Sequence, residues 1–319
     1  MAPIKESLER EEAPAAAPDS AAGTEPSEPL PTFTFGATLL QFFVIPMAVV
    51  AVCVGIFLFF GWMVAEEKTG LDYLNEVRTG SQSRRWQAAF ELARWLGAHH
   101  AGNGQEGAAA LTPAMVDAFR SARGDDPRVR RYLALCLGYL KDGRSLPLLI
   151  EALSDDDTET RIYAIWALGS MGDRAAVAPI MKLAGSDDPA IRKMAVYSLG
   201  AMKAAESQEL LAAALEDPTL DVAWNAAIAL AQLGDGRGRG RILQMLDRGF
   251  LSGVAEMTEE QKAQAMVTAM KGAALLPDPE FQERLQALSR SDPNLKVRQA
   301  AFEALAERVK RRGEAGGPP

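Results

Sequence analysis

Ser186-Asp187-Asp188-Pro189-Ala190-Ile191-Arg192-Lys193-Met194-Ala195-Val196-Tyr197-Ser198-Leu199-Gly200 decides the fold, because its pattern recurs on both sides at a fixed interval. Arg130, Arg161 and Arg192 stand 31 residues apart, and Leu137, Leu168, Leu199 and Leu230 keep the same spacing. A repeat of this length marks stacked supersecondary units, each burying its apolar face only against a neighbour. Ahead of each arginine segment lies a second apolar stretch, at 146–153, 177–184 and 210–215. Two short helices per unit follow. Turns at Lys141-Asp142-Gly143, Gly172-Asp173 and Gly234-Asp235 join one unit to the next, and Asp or Ser opens the following helix as a cap. Ile162, Ile165 and Leu168, like Val196 and Leu199, keep helical spacing.

Met171-Gly172-Asp173-Arg174-Ala175-Ala176-Val177-Ala178-Pro179-Ile180, followed by Asp187-Asp188-Pro189-Ala190-Ile191-Arg192, resembles the HEAT-like repeats of the phycobilisome-lyase type. The resemblance implies a ladder in which an Asp before the second helix and an Arg within it stack along the array. Asp155 with Arg161 and Asp292 with Arg298 match both positions, and Arg130 and Arg192 supply further arginines. Gly124, Ser186 and Ala223 interrupt the pattern. The expected fold is all-α, a right-handed α-solenoid of about seven HEAT-like helix pairs over residues 69–312, preceded by a single transmembrane helix. The tetratricopeptide and ankyrin signatures are absent.

Residues 1–34 are rich in Ala, Pro and Glu, carry seven acids against Lys5 and Arg10, and are expected to be a disordered acidic tail. No charge occurs from Phe33 to Ala65, so a transmembrane helix is expected over 35–65, too long for the core of a signal peptide. Lys68, Arg78, Arg84 and Arg85 follow that run, while residues 15–36 hold no Lys or Arg. The positive-inside rule then puts the repeats in the cytoplasm, with the extracytoplasmic (periplasmic) arrangement as the alternative. Few residues separate the apolar run from Leu71, Tyr73, Leu74 and Val77, which begin the array, so an integral membrane protein or complex is the expected partner besides the bilayer. Residues 313–319 read as a second disordered tail.

The net charge of −8 lacks any basic stripe, which argues against nucleic acid. Cys53 and Cys136 form neither a disulfide framework nor a Cys-x-x-Cys pair. His99 and His100 have no acid or thiol at metal-ligand spacing. Asp155-Asp156-Asp157 lacks the glycine and distal glutamate of a calcium loop and reads as a helix cap plus ladder acid. The stretch 234–240, with three further glycines and two arginines, reads as an inter-repeat turn. No catalytic residue, cofactor or metal is expected.

The more informative pattern is aromatic. Tyr132 and Tyr163 follow their ladder arginines by two residues, and Trp166 and Tyr197 follow theirs by five. Stacking would align these four along an inner surface with Trp224 one step off, either as anchors for a protein partner or as packing between second helices. An insertion over 248–260 offers Phe250 and Leu251 as loop contacts, or as side chains tucked against the neighbouring helix. These features indicate a membrane-anchored, non-catalytic scaffold for an accessory or assembly role. A cofactor- or chromophore-handling protein resembling phycobilin lyases and an adaptor for soluble clients are the alternatives.

Overall fold

A computed structural model describes residues 43–64, 68–99, 110–255 and 257–314. They fall into two units divided between Glu67 and Lys68. In the first unit, α1 (Ile45–Val64) is uncharged, and its side chains are described to Phe60, all exposed. Among the described residues, no helix is long and apolar enough to cross a membrane. The span expected over 35–65 is thus not matched in this structure: the α-helix begins at Ile45, after a π-helical turn at Phe43 and Val44. The tail over 1–34 lies outside the described residues.

The second unit is a stack of helix pairs. In chain order they are α2 (Gly70–Thr79) with α3 (Gln82–His99), α4 (Thr112–Ser121) with α5 (Pro127–Leu140), and α6 (Leu146–Glu151) with α7 (Thr158–Met171). Next come α8 (Val177–Leu183) with α9 (Pro189–Ala201) and α10 (Gln208–Ala213) with α11 (Leu220–Gln232). Two more pairs complete the stack: α12 (Arg239–Met245) with α14 (Glu259–Leu275), and α15 (Pro279–Ser291) with α16 (Leu295–Glu314). A short extra helix, α13 (Arg248–Ser252), sits inside the sixth pair. Second helices pack in series, α3 on α5, then α7, α9, α11, α14 and α16. The described part of this unit contains helices and turns without a strand. Gly313 and Glu314 extend α16, so the tail expected from 313 begins no earlier than 315, where the description ends.

Recurring residues explain the regularity. Asp126, Asp157 and Asp188 each accept a backbone N–H at the start of a second helix, and Asp142, Asp173 and Asp235 do so at the next turn. Lys141, Gly172, Lys203 and Gly234, 31 apart, all take the left-handed conformation that ends a second helix. Gly138, Gly169 and Gly200 hold the same interval in the middle of the stack. A Cβ there would lie 2.7 Å from Ala167 Cα, 2.6 Å from Ser198 Oγ and 2.5 Å from Ala229 Cβ. Small residues thus face glycine at each junction, and the second helices approach closely because no side chain intervenes.

The ladder exists, but it runs between units. The Arg130 guanidinium donates to the Asp155 carboxylate 25 residues on, with Nε at 2.8 Å. Arg192 does the same to Asp217, at 2.8 and 3.0 Å. Arg161 meets Ser186 at that position and turns back, donating to the Asp155 carbonyl at 3.3 Å and to Thr158 Oγ1 at 2.8 Å. Arg298 likewise donates to the Asp292 carbonyl, at 2.6 Å. The Asp292 carboxylate, almost wholly buried, receives Arg248 of α13 at 2.7 Å twice. A sequence pairing of Asp155 with Arg161 and Asp292 with Arg298 therefore finds the right residues but the wrong carboxylate partners.

A second rung carries a pH signature. Arg131 grips Asp157 with two donors, at 2.8 and 2.6 Å, while Asp157 also accepts from Thr160. The Arg131 hydrogen bonds, outweighing the desolvation that opposes them, hold the Asp157 carboxyl down at about 2. Because that lies below the ordinary ~3.9 of an unfolded chain, the contribution is complete above about pH 4 and fades as pH falls toward about 2. Asp157→Asn, which keeps the cap, should lose about 2 kcal/mol at neutral pH and show a flatter stability profile across that window. Urea unfolding at a series of pH values checks this.

Candidate protein-binding groove

The five aromatics expected on an inner face separate into two groups. Tyr132 stands edge-on to Phe90 at 5.2 Å and tilted against Tyr163 at 6.3 Å between ring centroids. Trp166 meets Tyr139 edge-on at 5.3 Å. Tyr132, Tyr163 and Trp166 are half-buried, and burial pushes the Tyr163 hydroxyl pKa upward. These rings bridge successive second helices, as the packing alternative anticipates. Tyr197 differs, being 46% exposed, whereas Trp224 is only 5% exposed.

Trp166, Tyr197 and Trp224 come together again in a groove of about 550 Å³. Helices α7, α9 and α11 supply one wall, and α14 with the segment after α13 supplies the other. The floor and sides are apolar: Met194, Ile228, Met245 and Met257 lie among the aromatics. Its neutral polar groups are Asn225, Gln261, Gln264 and Thr268. The charged pair at the rim, Lys193 and Asp221, is joined at 3.3 Å and cancels itself. Burial leaves the Trp224 indole N–H without a hydrogen-bond partner, an unusual and costly state for a buried donor. Methionines suit such a surface because their unbranched side chains adapt to different occupants.

Other expected positions find simpler roles. Leu251 is fully buried, because the insertion over 248–260 winds into α13 and turns that side chain inward; it is not a loop contact. Phe250, beside it, is 37% exposed. In the 234–240 segment, Arg237 is held by Asp235 and Glu209. Arg239 pairs with Asp278 and Glu280, so these cations already face carboxylates. Asp155 and Asp157 are each engaged by an arginine. Burial pushes the Cys136 thiol pKa far upward and keeps it protonated. His99 ends α3, and His100 lies outside the described residues.

Met194, Met245, Met257 and the polar residues of α14 were not marked by sequence reasoning. The repeat interval could have flagged Met194, which occupies the position of Tyr132 and Tyr163. Nothing periodic announces α14, whose approach depends on the insertion before it.

Comparison with known proteins supports the fold. The family model of HEAT repeats matches residues 112–188, 147–231 and 177–257. No curated protein matches the sequence significantly. Among solved structures, the chain is similar to one in the complex of CpcE and CpcF of phycocyanin lyase from Nostoc sp. PCC7120. That match has 19% identity and a TM-score of 0.49, and covers 77% of this chain and 96% of that one. An archaeal HEAT-like repeats protein from Thermococcus onnurineus NA1 has 14% identity and a TM-score of 0.39, covering 77% and 98%. Human deoxyhypusine hydroxylase has 17% identity and a TM-score of 0.34, covering 78% and 99%. With TM-scores below 0.5 these likenesses carry no argument, and the family match stands by itself. Residues 112–257 are thus HEAT repeats, and the helix pairs on either side continue the same stack.

Proposed function

We propose that this protein is a non-catalytic interaction scaffold whose HEAT-repeat unit holds a segment of a protein partner in the Trp166–Tyr197–Trp224 groove. The observation that carries the reading is the groove itself, in which exposed Tyr197 and three methionines stand with Trp166 and Trp224. A peptide segment offers apolar side chains for the walls and backbone groups that can hydrogen-bond with neutral side chains such as Gln264. Buried aromatic anchors with neutral amides around them are typical of protein contact surfaces.

Attachment to a membrane is part of the same proposal. It rests on α1 and on the sequence around it, which stays uncharged from Phe33 to Ala65 and exceeds the ~20 residues needed to span hydrocarbon. Lys68, Arg78 and Arg84 favour a cytoplasmic repeat unit, and an integral membrane protein or complex suits a scaffold tied so closely to the bilayer.

The test is co-purification of the full chain in a mild detergent beside a Trp166→Ala, Tyr197→Ala double variant, with associated proteins identified by mass spectrometry. A defined membrane complex present with the native chain and lost with the variant supports the proposal. Recovery of the chain with a bound chromophore or other small molecule, and no protein, favours the cofactor-handling alternative. A soluble client instead favours the adaptor.

A further inference from the structure

One rung of the ladder lacks its acid. Arg130 and Arg192 each place Nε and a terminal nitrogen on the carboxylate 25 residues on, Asp155 and Asp217. Arg161 stands 31 residues from both arginines, and 25 residues beyond it comes Ser186. The Arg161 Nε, the atom that donates in the other two rungs, is buried without an acceptor.

Ser186 performs half of what an acid does at this position. Asp155 and Asp217 also accept the backbone N–H two residues on, from Asp157 at 3.1 Å and Thr219 at 2.8 Å. Ser186 Oγ accepts the same bond from Asp188, at 3.2 Å. The turn is thus built as in the neighbouring units, and what it lacks is a charge that reaches Arg161. On the other side, Arg192 donates to the Ser186 carbonyl at 2.9 Å, so a second guanidinium stands close by. The segment is also open to solvent: Ser186 is half-buried between α8 and α9, while Gly185 and Asp187 beside it are exposed. Asp187 and Asp188 follow the hydroxyl directly, a local negative charge that a basic substrate cleft can read.

We propose that Ser186 is a phosphorylation site, modified by an acid-directed protein kinase, and that Arg161 receives the phosphate across the junction of α7 with α9. The donor is a nucleoside triphosphate. Ser186 Oγ attacks its γ-phosphorus, a P–O bond to serine forms as the one to the departing nucleoside diphosphate breaks, and the hydroxyl proton leaves through the base of the kinase. The product carries a charge of about −1.5 to −2 at neutral pH and three acceptor oxygens. An arginine fork suits it, because two parallel N–H groups match phosphate geometry. Asp187 and Asp188 oppose the added charge only in part. Asp187 is exposed, and the Asp188 carboxylate is engaged as the cap of α9, accepting from Ala190 at 2.8 Å. A serine kept for the turn alone accounts for the Asp188 bond and leaves the Arg161 Nε unexplained.

The experiment begins with the full chain isolated from its own cells in the presence of phosphatase inhibitors. Phosphopeptide mapping by mass spectrometry is expected to find phosphate on Ser186, and phosphatase treatment to lower the unfolding midpoint by about 2–4 °C. The phosphorus resonance should titrate below the ordinary ~6 of a phosphoserine, because a guanidinium favours the dianion. In unmodified recombinant chain, Ser186→Asp should raise the midpoint by a similar amount, and Arg161→Lys, which keeps the charge and loses the fork, should remove most of that gain. Each variant is compared with its own parent, so a destabilised Arg161→Lys chain still reports the difference. Absence of phosphate from Ser186 in the cellular chain overturns the proposal. So does a phosphate there that titrates at or above ~6 and whose removal leaves the midpoint unchanged, since it then faces solvent and not Arg161.

Discussion

Gly200→Ala is expected to lower the thermal unfolding midpoint by about 2–4 °C, although alanine is the better helix former. The methyl group would sit 2.5 Å from Ala229 Cβ and 2.7 Å from Ala229 Cα, so α11 must move as a body to admit it. Overpacking of this kind costs about 1–3 kcal/mol, and a contact with backbone cannot be relieved by rotating a side chain. The propensity gain offsets part of the loss, up to about 1 kcal/mol. A larger residue, as in Gly200→Val, should give the largest fall of any single change in this column. Gly240 supplies the control. It stands in α12, and a Cβ there meets nothing within 4 Å. Gly240→Ala should therefore stabilise by about 0.5–1 kcal/mol. Opposite signs for the same chemical change, read by calorimetry or thermal circular dichroism, would tie the effect to helix approach.

The second large effect concerns the groove. Ala265 lines it from α14 and is only partly buried. Ala265→Phe should fill the space that a partner segment occupies and weaken binding by at least about 100-fold, equivalent to ~2.7 kcal/mol. Tyr197→Ala leaves the groove open and removes one exposed anchor, for which a loss of about 10-fold is expected. Neither change touches the ladder or the glycine column, so both variants should unfold near the native temperature. Titration calorimetry or surface plasmon resonance with the co-purified partner measures both. Trp224→Ala is a poorer probe, since the indole is part of the core and its removal would destabilise the stack as well.

The architecture was legible because the 31-residue interval acts on every level at once. The same period places Asp126, Asp157 and Asp188 at helix starts, Leu137, Leu168 and Leu199 in the core, and Gly138, Gly169 and Gly200 at the helix junctions. What the period does not state is which neighbour a side chain meets. Arg130 reaches forward to Asp155 because its guanidinium crosses to the next unit, and a six-residue spacing within one unit hides that pairing. Arg248 belongs to no repeat position of the ladder, yet it neutralises Asp292. The inner aromatics illustrate the same limit. Tyr197 and Trp224 stand one step apart in the repeat register, and that step puts Trp224 in the core at 5% exposure while Tyr197 stays 46% exposed.

The most direct measurement of the scaffold account is site-specific photocrosslinking in native membranes. A photoreactive amino acid replaces Tyr197 in the groove or, for comparison, Ala178, which is exposed on the first helix α8. The account predicts a discrete protein adduct from position 197, absent from position 178 and suppressed by Ala265→Phe. Adducts from position 178 alone, or a 197 adduct indifferent to Ala265→Phe, would contradict it.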